Sequence, residues 1–199
     1  MEFASNTTPL TRDDFVKAAE VLKVPVAAIY AVTEVEASGA AFLPDTRPKI
    51  LYEAHIFSRL TNGAFDSTHP NISAPSWDRS LYGASGAHQY DRLHEAIALD
   101  REAALKACSW GMFQILGRYH EMAGHASVEG FVADLTTGEG AHLRAFTNFL
   151  NADPRLRRAL SGSDWATFAR LYNGPGYAAN RYDVKLARAF EQHSRRLSA

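Results

Sequence analysis

Residues 25–39 read PVAAIYAVTEVEASG. Pro25 suits the first position of a helix, where its missing N–H costs nothing. Val26, Ile29, Tyr30, Val32 and Val35 then recur at helical spacing, and Ser38 with Gly39 ends the run. Two carboxylates, Glu34 and Glu36, sit near the end of this apolar helix. Residues three, four and seven apart share a face. Glu36 therefore follows Thr33, Val32 and Ile29, while Glu34 follows Ala31 and Tyr30. Both faces are less polar than an ordinary exposed one, so spacing alone does not choose between them. Position along the helix favours Glu36. It lies in the last turn, where the macrodipole is negative, and an anion there costs about 0.3–1 kcal/mol. Dipole and burial both favour the protonated form, which suits a general acid working near neutral pH. An ordinary helix-end residue stays as the alternative.

Outward from this helix the chain divides. Upstream, Thr11-Arg-Asp-Asp14 has capping-box spacing, and Phe15, Ala18, Ala19 and Leu22 continue a helix over about 12–22. Downstream, prolines 44, 48, 70 and 75 and glycines 63, 83 and 86 break every long period. Lys49–Phe57 is rich in β formers and reads as a short strand entering a turn of helix. From residue 91 helices return. Asp91 is expected to cap 92–107, with Leu93, Ile97, Ala104 and Leu105 inward. Trp110–Met122 is expected to be helical, Ser127 to cap 128–136, and another helix to cover 140–151. Asp153-Pro154 opens a short helix to about 160. Ser163 is expected to cap 164–173, closed by Gly174, and the last helix to cover 178–197. The fold class expected is mainly α (α+β): one domain over 1–199, with a helical lobe (about 12–39 and 91–197) and a small, irregular, β-containing lobe (about 40–90).

Composition narrows the function. The chain has 199 residues, 46% hydrophobic and 22% charged, with net charge −1. It is long enough for a real core, and no general attraction to nucleic acid or anionic lipid is expected. Arg155, Arg157 and Arg158 lack interleaved aromatics and read as solvated surface. The single cysteine, Cys108, excludes a disulfide within the chain and reads as a buried structural thiol. Eight histidines include His88, His94, His120 and His125. None has tight ligand spacing, so no metal and no other cofactor is expected. Met1–Arg12 lacks the apolar core of a signal peptide, and no apolar run approaches ~18 residues. The opening Met-Glu-Phe suits a cloning remnant on a domain cut from a longer chain.

Two further stretches carry chemistry. In Ser109-Trp-Gly-Met-Phe-Gln-Ile-Leu116, small residues and an amide among large apolar groups describe a packed cleft wall. Gln114 there must be hydrogen-bonded, to a sugar hydroxyl or to backbone. In Arg170-Leu-Tyr-Asn-Gly-Pro-Gly-Tyr177, Tyr172 and Asn173 stand at a helix end. Rings and amides together suit carbohydrate.

Taken in order, Glu36-Ala-Ser-Gly39, Ser109-x-Gly-x-x-Gln-Ile115 and Tyr172-Asn-Gly174 resemble the lysozyme superfamily, especially goose-type lysozymes and lytic transglycosylases. Val35-Glu-Ala-Ser-Gly-Ala-Ala-Phe42 and Arg47-Pro-Lys-Ile-Leu-Tyr-Glu-Ala-His-Ile-Phe57 resemble more closely the N-acetylmuramidase family of phage endolysins and some bacterial toxins. The resemblance spans about 15–195. Three departures stand out: the long stretch between Glu36 and Ser109, Ala37 for the common serine, and Tyr52 for the usual phenylalanine.

The resemblance implies a lysozyme-like fold and cleavage of the β-1,4 bond between N-acetylmuramic acid and N-acetylglucosamine in peptidoglycan glycan strands. Glu36 would be the general acid, with Gln114, Tyr172 and Asn173 lining the sugar cleft. Glu53 is the first candidate for a second carboxylate and Asp45 the second, with His55 placed to hydrogen-bond Glu53. An ion pair of Glu53 with Arg47 or Arg59 is the structural alternative. If neither acid reaches the site, the sugar's N-acetyl group or 6-hydroxyl takes over, the latter giving 1,6-anhydro products. A non-catalytic cell-wall binding module and a chitinase of the same superfamily are the competing readings. The expected place of action is the periplasm and cell wall, reached through holin lesions or by injection. Near-neutral charge suggests a fused or partner delivery domain, and the toxin reading adds an immunity protein as partner.

Overall fold

The computed structural model describes residues 2–37 and 39–198; Met1 of the opening tripeptide and Ser38 at the expected end of the second helix lie outside them. The fold is mainly α with a small three-stranded antiparallel sheet, as expected. Helix α1 (Arg12–Leu22) opens on the capping box: Thr11 accepts from the Asp14 N–H, and the Asp14 carboxylate accepts from the Thr11 N–H. It buries Phe15, Ala18, Ala19 and Leu22. Helix α2 (Val26–Glu36) starts one residue later than expected. Pro25 has ψ 142°, so its fixed φ suits a helix but its peptide is extended and serves as the cap. Ala27, Ala28, Ile29, Ala31, Val32 and Thr33 are all buried, which makes α2 a central helix rather than a surface one.

The sheet joins strand β1 (Ile50–Tyr52) to β2 (Cys108–Trp110) and β3 (Ile115–Leu116), in that order. Leu51 faces Ser109, and Ser109 faces Leu116. Side chains alternate across a strand. Ile50, Tyr52, Cys108 and Trp110 accordingly enter the core, while Leu51, Ser109 and Leu116 share the opposite face. Helix α3 (Ala54–Leu60) follows β1 directly, as the Lys49–Phe57 composition predicts.

The helix expected over Trp110–Met122 is not there. Gly111 (φ 68°) and Gln114 (φ 49°) are both left-handed, so no right-handed helix can pass through them. Residues 111–114 are instead the turn of a hairpin between β2 and β3, a 3-10 helix (Gly117–Tyr119) follows, and the sheet draws two strands from beyond residue 90. Asp91 lies inside the first turn of α4 (His88–Leu99) and does not cap it; the expected single helix breaks at Asp100. Asp100 is extended (φ −156°) and caps α5 (Arg101–Lys106), its carboxylate accepting from the Ala103 N–H.

Helices α6 (Val128–Leu135), α7 (Glu139–Ala152) and α8 (Pro154–Ser161) stand where expected, with Ser127 and Asp153 as caps. Asp164, not Ser163, caps α9 (Trp165–Asn173), because Ser163 is itself left-handed (φ 53°). A 3-10 helix over Pro175–Asn180 delays α10 (Tyr182–Ser198), which packs along α2. Arg155, Arg157 and Arg158 are exposed, and Cys108 is buried and free.

Candidate active site

Central α2, the 111–114 turn and the C-terminal end of α9 converge on one cleft of about 590 Å³. Glu36, Ser109, Gln114, Tyr172 and Asn173 line it, with Asn180 and Tyr182 on the side nearest α10. Of the residues expected at the site, Glu36, Gln114, Tyr172 and Asn173 are thus brought together from three distant parts of the chain.

Glu36 is the last residue of α2. Burial pushes its carboxyl up from the ordinary 4.5 to about 7, and Lys185 on α10 pulls weakly the other way. The Asn173 side-chain N–H2 donates to both carboxyl oxygens, at 3.2 Å each. The other end of that amide, Oδ1, is buried with no partner among the described residues, as is the Thr33 hydroxyl one turn before Glu36. Glu34 is elsewhere: half-exposed, its Oε2 lies 2.8 Å from Nε2 of His193, whose ring stacks on Tyr30. It ties α2 to α10.

Tyr172 is a wall more than a hand. Its ring packs on Phe168, Phe146 and Phe149, its hydroxyl donates to the Phe113 carbonyl at 3.4 Å, and burial raises its pKa. Gln114 uses its N–H2 on the Gly111 and Lys49 carbonyls, at 2.8 and 3.2 Å, and so closes the hairpin turn onto β1. Of its two expected uses, backbone support takes the donor end.

A residue the sequence did not single out holds this turn from beneath. His142 of α7 is buried; its Nδ1 accepts from the Met112 N–H at 2.9 Å and its Nε2 lies 2.8 Å from the Leu135 carbonyl. Burial lowers its pKa to about 4, so it remains neutral, with one nitrogen accepting and one donating. A Cβ on Gly111 would stand 2.3 Å from Nδ1 of this ring. Gly111→Ala combines that overlap with left-handed strain, so a loss of roughly 2–4 kcal/mol in urea unfolding is expected. A midpoint unchanged from wild type would show that His142 does not set the turn.

Glu53 sits just past β1. Its N–H donates to the Ala107 carbonyl, so the ladder continues through it, and alternation puts its side chain on the Leu51, Ser109 and Leu116 face. Ser109 and Leu116 line the cleft, but Glu53 and His55 are not among its lining residues. The Glu53 carboxylate accepts a short hydrogen bond from the Tyr82 hydroxyl, a partner not foreseen. Nδ1 of His55 approaches it only to 3.4 Å, a contact and not the expected hydrogen bond. Neither Arg47 nor Arg59 pairs with it. Arg47 instead binds Asp45 at 2.6 Å and lies over the Tyr90 ring. That corrects the placement of Asp45. Its carboxylate also accepts from the Arg47 backbone N–H and is held below the usual range, so it closes the 45–47 turn and does not line this cleft.

The family model for N-acetylmuramidase matches residues 25–194. The chain belongs to the N-acetylmuramidase family. It is accordingly a peptidoglycan-degrading enzyme of muramidase type. The muramidase fold here is also similar to the crystal structure of a Burkholderia AP3 phage endolysin, with TM-score 0.90 and 42% identity over 96% of this chain and 73% of that one. No curated protein matches. Among the described residues, no three His, Cys, Asp or Glu side chains gather as a metal site, and no helix is long and apolar enough to cross a membrane.

Proposed function

We propose that this muramidase cleaves the β-1,4 bond between N-acetylmuramic acid and N-acetylglucosamine, with Glu36 as the general acid. The observation that carries the proposal is a largely buried carboxyl, raised to about 7, at a helix end inside the sugar-sized cleft. Below that pH Glu36 keeps its proton and delivers it to the glycosidic oxygen as the bond breaks. The carboxylate left behind is stabilised by the two Asn173 hydrogen bonds. Glu53, on the sheet face shared with the cleft residues Ser109 and Leu116, supplies the second carboxylate, which stabilises the oxocarbenium ion or activates water. The Tyr82 hydroxyl, donating to it, fixes it in place. Gln114 Oε1, whose amide N–H2 is already spent, is free to accept from a sugar hydroxyl, and the Tyr172 ring backs the sugar face.

A hydrolase reading and a transglycosylase reading differ in what attacks the sugar. The Tyr82 hydrogen bond on Glu53 gives the second some support, because a carboxylate so engaged can leave the muramic 6-hydroxyl to attack. Mass spectrometry of digested peptidoglycan separates them. Reducing muramic ends are expected; 1,6-anhydro ends would make the enzyme a transglycosylase, and intact glycan would overturn both. Likeness to a phage endolysin favours release onto the cell wall at lysis over injection as a toxin.

A further inference from the structure

Trp77 is the most exposed large apolar side chain of the protein's described residues, at 61%, yet it does not swing freely. Its indole N–H donates to the Tyr82 hydroxyl at 2.8 Å, and that hydroxyl donates in turn to Glu53. The two rings stand 6.3 Å apart, tilted by 54°. The chain of donors runs one way, from the indole to the phenol to the carboxylate. Burial, then Glu53, push the Tyr82 phenol up to about 12, so it stays a donor throughout any working pH.

Tyr82 is itself held by a built support. β1 is an edge strand, and its outward N–H and carbonyl at Tyr52 would otherwise be unpaired. Buried Gln89 takes the N–H through Oε1 at 3.1 Å, and buried Arg92 donates to the carbonyl at 3.0 Å. The Gln89 N–H2 then reaches the carbonyls of Tyr82 and Ala84, at 2.7 and 2.8 Å. One glutamine thus locks the loop carrying Tyr82 to the strand that leads into Glu53. An exposed indole that is oriented in advance, tied to a carboxylate at the end of the strand whose neighbour Ser109 lines the cleft, loses little freedom when a ligand stacks on it.

We propose that Trp77 and Tyr82 form a sugar subsite beside Glu53, in which the indole face stacks on an N-acetylhexosamine ring of the glycan strand beyond the scissile bond. The ligand class follows from the chemistry. A pyranose offers a C–H face to an indole and hydroxyls to its rim, and a polymer threaded past Glu36 has rings on both sides of the cut. The inference rests on the muramidase reading of the cleft but not on Glu36 being the acid.

The test is equilibrium binding to the Glu36→Gln protein, so that no turnover is read and failure of the acid assignment does not affect it. The probes are peptide-free muramyl glycans of two and of eight sugars. Trp110 is buried and Trp165 packs on Phe190, so ligand-induced change in tryptophan emission reports chiefly on Trp77. Added Trp77→Ala should weaken the eight-sugar strand roughly tenfold, in line with an aromatic contact, and leave the two-sugar probe unchanged. Trp77→Phe should keep most of the affinity and abolish the emission change. Equal affinity of Trp77→Ala for the long strand would overturn the proposal, and so would an emission change that persists in Trp77→Phe. Trp77 is exposed, so neither variant threatens the fold.

Discussion

Glu36→Gln should stop bacteriolysis while leaving the protein folded and, at alkaline pH, more stable. General acid catalysis is worth roughly 10²–10⁴-fold, and an amide cannot deliver the proton. Turbidity of permeabilised bacteria should therefore fall at no more than about a hundredth of the wild-type rate. The fold tolerates the change for a local reason. Asn173 N–H2 can still donate to the glutamine oxygen, so one of the two hydrogen bonds at this helix end is kept and no charge is left buried. The stability sign follows from linkage. Glu36 moves from an ordinary 4.5 to about 7 on folding, so its contribution is fully present below pH 4.5 and lost as pH rises through 7. At about 1.4 kcal/mol per unit, Glu36→Gln should gain up to about 3 kcal/mol over wild type above pH 8 and nothing near pH 4. Wild-type activity should decline through the same alkaline window. Lysis by Glu36→Gln at the wild-type rate would remove Glu36 from the mechanism.

Much of this site could be read from sequence because its parts are local signals. The apolar period of α2, its end before Gly39 and the capping box of α1 are backbone preferences expressed within a few residues, and they place Glu36 at a helix end; its role as the acid is what the family resemblance implies. The Trp110–Leu116 hairpin was not legible in that way. Its apolar run suits a helix, and what forbids one is a pair of left-handed residues, one of them Gln114, whose conformation is supported by hydrogen bonds to Lys49 and Gly111 and by His142 from α7. Long-range partners decide there, and periodicity carries no trace of them. Asp45 and Glu53 show the same limit for charges. Each has a plausible arginine nearby in sequence, but only the folded chain gives Arg47 to Asp45 and Tyr82 to Glu53. Tyr82 and Trp77 fall in the breaker-rich stretch, where no period marks a residue as important.

Glu53→Gln is the second large effect expected, and it bears on mechanism more than location. The amide is nearly isosteric and can still accept from Tyr82, so the loop and β1 should keep their arrangement and the glycan should still bind. What is lost is the negative charge facing the forming oxocarbenium ion and the capacity to take a proton from water. Such electrostatic support is worth roughly 10²–10³-fold, so kcat should fall by about that factor with KM little changed. Azide added to Glu53→Ala should restore turnover, since a small anion can stand where the carboxylate stood. The glycosyl azide should be the α anomer, because azide entering from the Glu53 side, opposite the leaving group, displaces it from the starting β bond with inversion; a β azide would place Glu53 on the leaving-group side. Activity that survives Glu53→Gln with 1,6-anhydro ends would instead assign the attack to the sugar's own 6-hydroxyl. In that case the Tyr82 hydrogen bond would be holding Glu53 as a structural anion at the end of β1, and Glu36 would have to act both as acid to the leaving oxygen and as base to the incoming one, a double duty its value of about 7 suits.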